Sequence, residues 1–147
     1  MRFVRLVPLA LLMTAALWTP RAEAADVRLG LGGDYQVNRR FLGEVTLTVD
    51  GAVARYIRVG GRFGALIASG RPDFGVPLDL EVRALLAGRR VYLEGLFGPW
   101  LIFDSDRFIH LHAAVGFGLQ SGGLSFGLEV GWLDPSPMLG LRLGFRI

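Results

Sequence analysis

Two histidines one residue apart, His110 and His112, are the sharpest chemical feature of this 147-residue chain. On a β-strand, residues i and i+2 share a face, so the two imidazoles project together. Such a pair can hold a metal ion if a neighbouring carboxylate completes the set. Glu94 and Glu129 align better with Ala114 and Gly116, one or two steps deeper, and no third ligand is evident. Two histidines making ordinary hydrogen bonds is the reading adopted. A second set is made of charges. Glu44, Arg58, Arg83, Glu94, Glu129 and Arg142 fall on one parity of successive strand-like segments. With the intervening turns centred on their local signals, Glu44 lies across from Arg58, Arg83 from Glu94, and Glu129 from Arg142. Charges on a buried face must be paired or they become very costly. The expectation is a filled, salt-bridged interior, with a gated ion path as its rival. His110, Ser125 and Glu129 also supply the residue types of a hydrolytic triad, but Ser125 and His110 fall near opposite ends of their strands, so the geometry fails. The glycines alternate along strands and precede no helix, which excludes a phosphate loop. No catalytic, cofactor or metal residue is assigned.

These residues sit in segments with a period of two. The clearest are the last two, Leu124–Trp132 and Met138–Ile147. Leu124, Phe126, Leu128, Val130 and Trp132 alternate with Ser125, Gly127, Glu129 and Gly131. Leu139, Leu141, Leu143, Phe145 and Ile147 alternate with Gly140, Arg142, Gly144 and Arg146. Each strand therefore has one bulky apolar face and one face of glycine or charge. Six earlier segments read the same way: Val27–Val37, Phe41–Val49, Val53–Ala68, Leu78–Ala87, Val91 to about Pro99, and Phe108–Gln120. Asp50-Gly51 is a strong hairpin signal. Gly88-Arg89-Arg90 and Ser121-Gly122-Gly123 make two further short turns. Asn38–Arg40, Ser69–Pro77, Gly98–Arg107 and Asp134–Pro137 connect at the other end. Pro99 cannot donate to a ladder, and Trp100–Phe103 is left open between loop and bulged strand. The longer connections would present Arg71, Phe74, Trp100 and Asp106 to any partner met there.

Residues 1–24 have the form of a secretory signal. Arg2 and Arg5 precede the apolar run Leu6–Trp18, and Ala22-Glu23-Ala24 fits a small-x-small cleavage site. The run is too short for a spanning helix, which needs about 20 residues. Residues 25–147 make one domain, with 13 arginines against 12 acidic residues. A balance so close to neutral gives no reason to expect nucleic acid as a partner. The absence of cysteine excludes disulfides, thiolate metal sites and a lipidated N-terminal cysteine.

An apolar composition without a long apolar run is the signature of a membrane-spanning barrel. Alternation alone does not say which face is inside, since a soluble lipocalin-like barrel also alternates. Three features favour the inverted case. The polar parity is largely glycine with scattered charge, which suits a narrow lumen. The other parity is uniformly Leu, Val, Ile and Phe. Trp132, Phe41, Phe117 and Phe145 lie near strand ends, where membrane girdles sit. The pattern resembles the small eight-stranded outer-membrane barrels, the OmpA membrane domain and OmpX among them, over the whole of residues 25–147 and through pattern rather than shared motifs. The resemblance implies an all-β, eight-stranded, antiparallel up-and-down transmembrane β-barrel in the outer membrane. It also implies outer-membrane lipid, periplasmic chaperones and the barrel assembly machinery as partners. Leu143, Phe145 and Ile147 look like the C-terminal signal read by that machinery, which usually ends in an aromatic residue where this chain has Ile147. Among barrels of this size the lipid A deacylases are hydrolases, and they place their His and Ser close together on the outward, lipid-facing side. A structural or surface-interaction role follows, with a narrow channel, a soluble carrier of apolar ligands and a lipid-modifying enzyme as alternatives.

Overall fold

The computed structural model describes residues 25–70, 73–103 and 107–147. The leader-like segment 1–24, and with it Arg71 and Asp106, lies outside the described residues. Eight strands follow one another: β1 Asp26–Gln36, β2 Arg40–Ala54, β3 Ile57–Ala68, β4 Phe74–Leu86, β5 Val91–Ile102, β6 Ile109–Ser121, β7 Leu124–Leu133 and β8 Ser136–Arg146. Each pairs antiparallel with its sequence neighbour, and β8 closes on β1 from Arg28↔Arg146 to Gln36↔Met138. Closure leaves no unpaired edge. The start of β1, the end of β8 and the turns β2–β3, β4–β5 and β6–β7 share one end, the terminal end. The other four connections form the loop end.

The apolar parity faces outward. Leu80 is 69% exposed and Leu119 63%, while Glu129, Asp79 and Glu81 across the wall are 5% exposed or less. This is the reverse of a soluble barrel, whose apolar parity fills the interior. Glycine on the inner parity makes the arrangement possible. A Cβ at Gly32 would stand 2.7 Å from both the Arg142 guanidinium and Glu44 Cγ, and one at Gly116 would stand 2.7 Å from the Glu94 carboxylate. The bare backbone of β1 and β6 is the space into which those long side chains fold.

Several expectations are corrected. Asp50-Gly51 is not a turn. Strand β2 runs on to Ala54, and the chain reverses at Arg55-Tyr56, with Asp50 opposite Asp26 and Gly60. The reason is electrostatic: Asp50 is 2% exposed and engages the guanidiniums of Arg28 and Arg58, an interior role that outweighs a local turn preference. The displaced turn moves the register, so Glu44 lies opposite Leu66 and not Arg58. Tyr56 is an exposed turn residue. Strand β5 does not end at Pro99 but continues to Ile102. The β4–β5 ladder simply skips from Pro77↔Trp100 to Leu80↔Phe97, where Pro99 brings no N–H. Strand β4 likewise begins at Phe74, which shortens the connection before it. The Gly122-Gly123 turn is a tight two-residue hairpin closed by Ser121↔Leu124. Both glycines have positive φ, 57° and 89°, as a primed turn requires.

Candidate functional site: the charged lumen

From the loop end inward, the lumen has three tiers. The first is apolar. Leu42, Leu66, Ala68, Trp100, Ile102, Leu133 and Met138 are 0–4% exposed and pack as one cluster across the barrel mouth. Trp100, expected at the surface, is thus a core residue. Inner parity on β5 directs its indole into the lumen, where Nε1 donates to Asp79 at 3.1 Å. Phe74 is the residue of that group found exposed, on the outer face of β4.

The middle tier is a closed charge network. Arg62 bonds Asp79 at 2.8 Å and Glu129 at 2.9 Å. Arg142 reaches Asp34 at 2.7 Å, Glu44 at 3.1 Å and Glu129 at 3.1 Å. His112 stands between two carboxylates, with Nδ1 2.7 Å from Asp79 and Nε2 3.3 Å from Glu129. Its ring also lies 4.5 Å from that of Trp100, tilted by 39°. Two guanidiniums and one imidazole therefore face four carboxylates, all of them 8% exposed or less.

The terminal tier is also charged but looser. Arg28 bonds Asp50 at 2.5 Å and Glu81 at 2.6 Å. Arg58 bonds Asp50 and lies 3.9 Å from Asp26. Arg83 is opposite Glu94 in the β4–β5 ladder, yet its Nε is 4.0 Å from that carboxylate. Its guanidinium instead stacks on Tyr92, 3.7 Å from the ring centre.

The six charges singled out from the sequence all occupy the lumen, but their partnerships differ from the strand-by-strand pairing. Glu44 and Arg58 belong to different tiers and engage Arg142 and Asp50 respectively. Glu129 lies opposite Gly140, two residues from the expected register, because the last turn is centred on Asp134-Pro135. The longer side chain of Arg142 still spans the offset to Glu129. Asp34, Arg62, Asp79 and Trp100 were missed as network members. The three charged ones were legible only as residues of polar parity: Arg62 and Asp79 are direct partners in a β3–β4 ladder whose register is shifted by the early start of β4 at Phe74, Asp34 and Arg142 join the adjacent strands β1 and β8, and Arg62–Glu129 runs across the lumen from β3 to β7. Hairpin register reports neighbours along the wall and is blind to chords.

His110 and His112 point into the lumen at the same wall, but they do not share a centre. His110 Nδ1 faces the backbone carbonyl of Asp134 at 2.7 Å, while His112 is committed to Asp79 and Glu129. No cluster of three or more His, Cys, Asp or Glu with the arrangement to hold a metal ion occurs among the described residues. Ser125 lies opposite Gln120, ten residues from His110 along β6, a separation of about 33 Å. His110, Ser125 and Glu129 are therefore not brought together. At the C-terminus Phe145 and Ile147 are exposed, 39% and 78%, and Leu143 is paired with Leu31 of β1 and Phe126 of β7.

By sequence, the chain matches no protein-family model and no curated protein. By structure it is similar to transmembrane barrels. A barrel from the de novo design of transmembrane β-barrels superposes with a TM-score of 0.67 at 13% identity, covering 85% of this chain and 98% of that one. The solution structure of the designed barrel TMB2.3 gives 0.63 at 13% identity, over 84% and 94%. The crystal structure of the outer membrane enzyme PagL gives 0.60 at 15% identity, over 84% and 99%. At such identities the likeness is one of fold: an all-β, closed, eight-stranded antiparallel barrel of the outer-membrane type.

Proposed function

We propose that the chain is an outer-membrane protein whose barrel spans the bilayer with a filled lumen, and that its role is structural or one of surface interaction. The observation that carries this is the inverted barrel: an unbroken apolar outer wall around a charged interior. An exposed apolar surface far larger than a few hundred Å² belongs against lipid or another apolar partner. A closed barrel satisfies its own backbone groups within the hydrocarbon. Tyr35, Phe41, Phe74, Phe108 and Trp132 are all exposed on the outer wall near the loop end, at the height of an aromatic girdle. Residues 1–24 would carry the chain across the inner membrane and be removed. Chaperones and the barrel assembly machinery would then receive it, with Leu143, Phe145 and Ile147 as the recognition signal. The apolar tier at the loop end and the network beneath it argue for a closed barrel without conductance.

The test is fractionation followed by gel migration with and without boiling. Recovery in the outer-membrane fraction, with mobility that changes on heating, is the expected result. Recovery in the soluble periplasm overturns the reading. The likeness to PagL, an outer membrane enzyme, supports a second reading as a lipid-modifying hydrolase. In this chain His112 faces carboxylates on both ring nitrogens and Ser125 is remote from His110. Release of acyl chains from outer-membrane lipid by the purified barrel would establish that reading.

A further inference from the structure

The terminal end of the lumen opens into a cavity of about 230 Å³ that none of the preceding roles uses. Its wall is rich in arginine. Arg28, Arg58, Arg83, Arg89 and Arg146 line it, against two carboxylates, Asp26 and Asp50. Those two acids are already shared: Asp50 serves Arg28 and Arg58, and Asp26 is 2.7 Å from Arg146 and 3.9 Å from Arg58. Glu81, behind the wall, is held by Arg28.

Arg83 and Arg89 differ from the other three. Arg83 is buried, its side chain 3% exposed, with no carboxylate among the described residues nearer than Glu94 at 4.0 Å. Its Nε, like that of Arg28, has no hydrogen-bond partner among the described residues, although a buried donor left unsatisfied is costly. What fixes it is neutral: the face of Tyr92, and Gln120 Oε1, which accepts from Nη2 at 3.1 Å. Gln120 also donates from Nε2 to the Arg89 carbonyl at 2.8 Å. One amide thus sets the floor arginine and the rim arginine relative to each other. Arg89 itself is an exposed turn residue whose guanidinium, among the described residues, reaches the Arg55 carbonyl at 3.5 Å. A planar guanidinium presents a fork of donors that matches phosphate and carboxylate oxygens. Two such forks with neutral supports, in a cavity smaller than the usual pocket for a drug-sized molecule, fit a compact, multiply charged anion.

We propose that this cavity binds a phosphate group, with Arg83 at its floor and Arg89 at its rim. The group comes either from free inorganic phosphate or from a phospholipid headgroup presented at that end of the barrel. The inference does not require membrane insertion, since a soluble barrel would keep the same cavity. Failure of the titration and failure of the fractionation are therefore separate results.

The experiment is calorimetric titration of the folded mature protein in a maltoside detergent. Two probes are used at constant ionic strength: sodium phosphate, and dihexanoyl phosphatidylglycerol below its micelle concentration. Saturable binding is expected, weakened at least tenfold by Arg83→Gln and about threefold by Arg89→Gln. Binding of phosphate assigns the free anion as ligand; binding of the short-chain lipid alone assigns the headgroup. Arg89 lies in an exposed turn, so Arg89→Gln tests the site even if Arg83→Gln fails to fold. Absence of saturable binding by both probes, or binding that neither substitution weakens, overturns the proposal.

Discussion

In the middle of the lumen, Arg142 is the cation that Asp34 and Glu44 share, and both acids are deeply buried. A few residues nearer the terminal end, Arg83 is as deeply buried, yet it rests on a ring and an amide with its nearest carboxylate at 4.0 Å. Both arginines lie on inner-facing strand positions, and parity cannot tell them apart. The difference lies in what surrounds each. Acids from β1, β2 and β7 converge on Arg142 across glycine-lined walls. The cavity beside Arg83 is also lined by two exposed residues, Arg89 and Arg146. A buried charge surrounded by buried acids is neutralised by them, whereas one that lines a cavity and rests on neutral groups can be left available to a ligand. The contrast separates a tier that holds the barrel together from a tier that can meet a ligand.

The largest effect should come from removing the cation of the middle tier. Arg142→Met leaves Asp34 and Glu44 buried without a cation, and breaking a buried pair from one side costs about 3–5 kcal/mol. Unfolding in urea, followed by the loss of heat-modifiable mobility, should show a drop of that size. The triple change Asp34→Asn/Glu44→Gln/Arg142→Met, which removes the charges together, should recover most of it. A stable single variant would mean that the acids are neutralised elsewhere and that the two tiers do not differ in the way described.

A smaller effect is expected where the apolar tier touches the network. Trp100→Phe keeps most of the buried ring but withdraws the indole N–H from Asp79. Hydrogen bonds to charged groups contribute about 1.5–3 kcal/mol, and Asp79 retains Arg62 and His112. The loss should fall toward the lower end of that range in the same unfolding assay. A larger loss would show that the apolar plug, rather than the charges, dominates stability in this half of the lumen.

Much of this fold is written in period-two alternation, because a wall one residue thick must satisfy two environments at every step. Eight strands, their parities and the turns at Gly88 and Gly122 could be read from it. Asp50-Gly51 misled because turn propensity is a local quantity, while Asp50 is held by Arg28 of β1 and Arg58 of β3. Trp100 misled through the proline before it. The site was legible as a set of residue types on one face. It was not legible as a set of bonds, since Arg62–Glu129 and Arg28–Glu81 join strands that are distant in sequence and across the lumen.

The Arg83–Glu94 pair distinguishes what register shows from what distance shows. The two residues are opposed in the β4–β5 ladder, and by register alone Glu94→Ala should strand a buried arginine as severely as the loss of Arg142 strands its acids. The geometry gives a different expectation. At 4.0 Å the carboxylate makes no hydrogen bond to Arg83, and the guanidinium keeps Tyr92 and Gln120 after the truncation. The loss should then be about 1 kcal/mol, the scale of a single modest polar contact, measured by urea unfolding beside Arg142→Met. A loss near that of Arg142→Met would return Arg83 to the structural network and remove the contrast between the tiers. Unchanged stability would show that Glu94 and Arg83 do not interact at all. The intermediate value is what a cation fixed by neutral supports, and left open toward a cavity, requires.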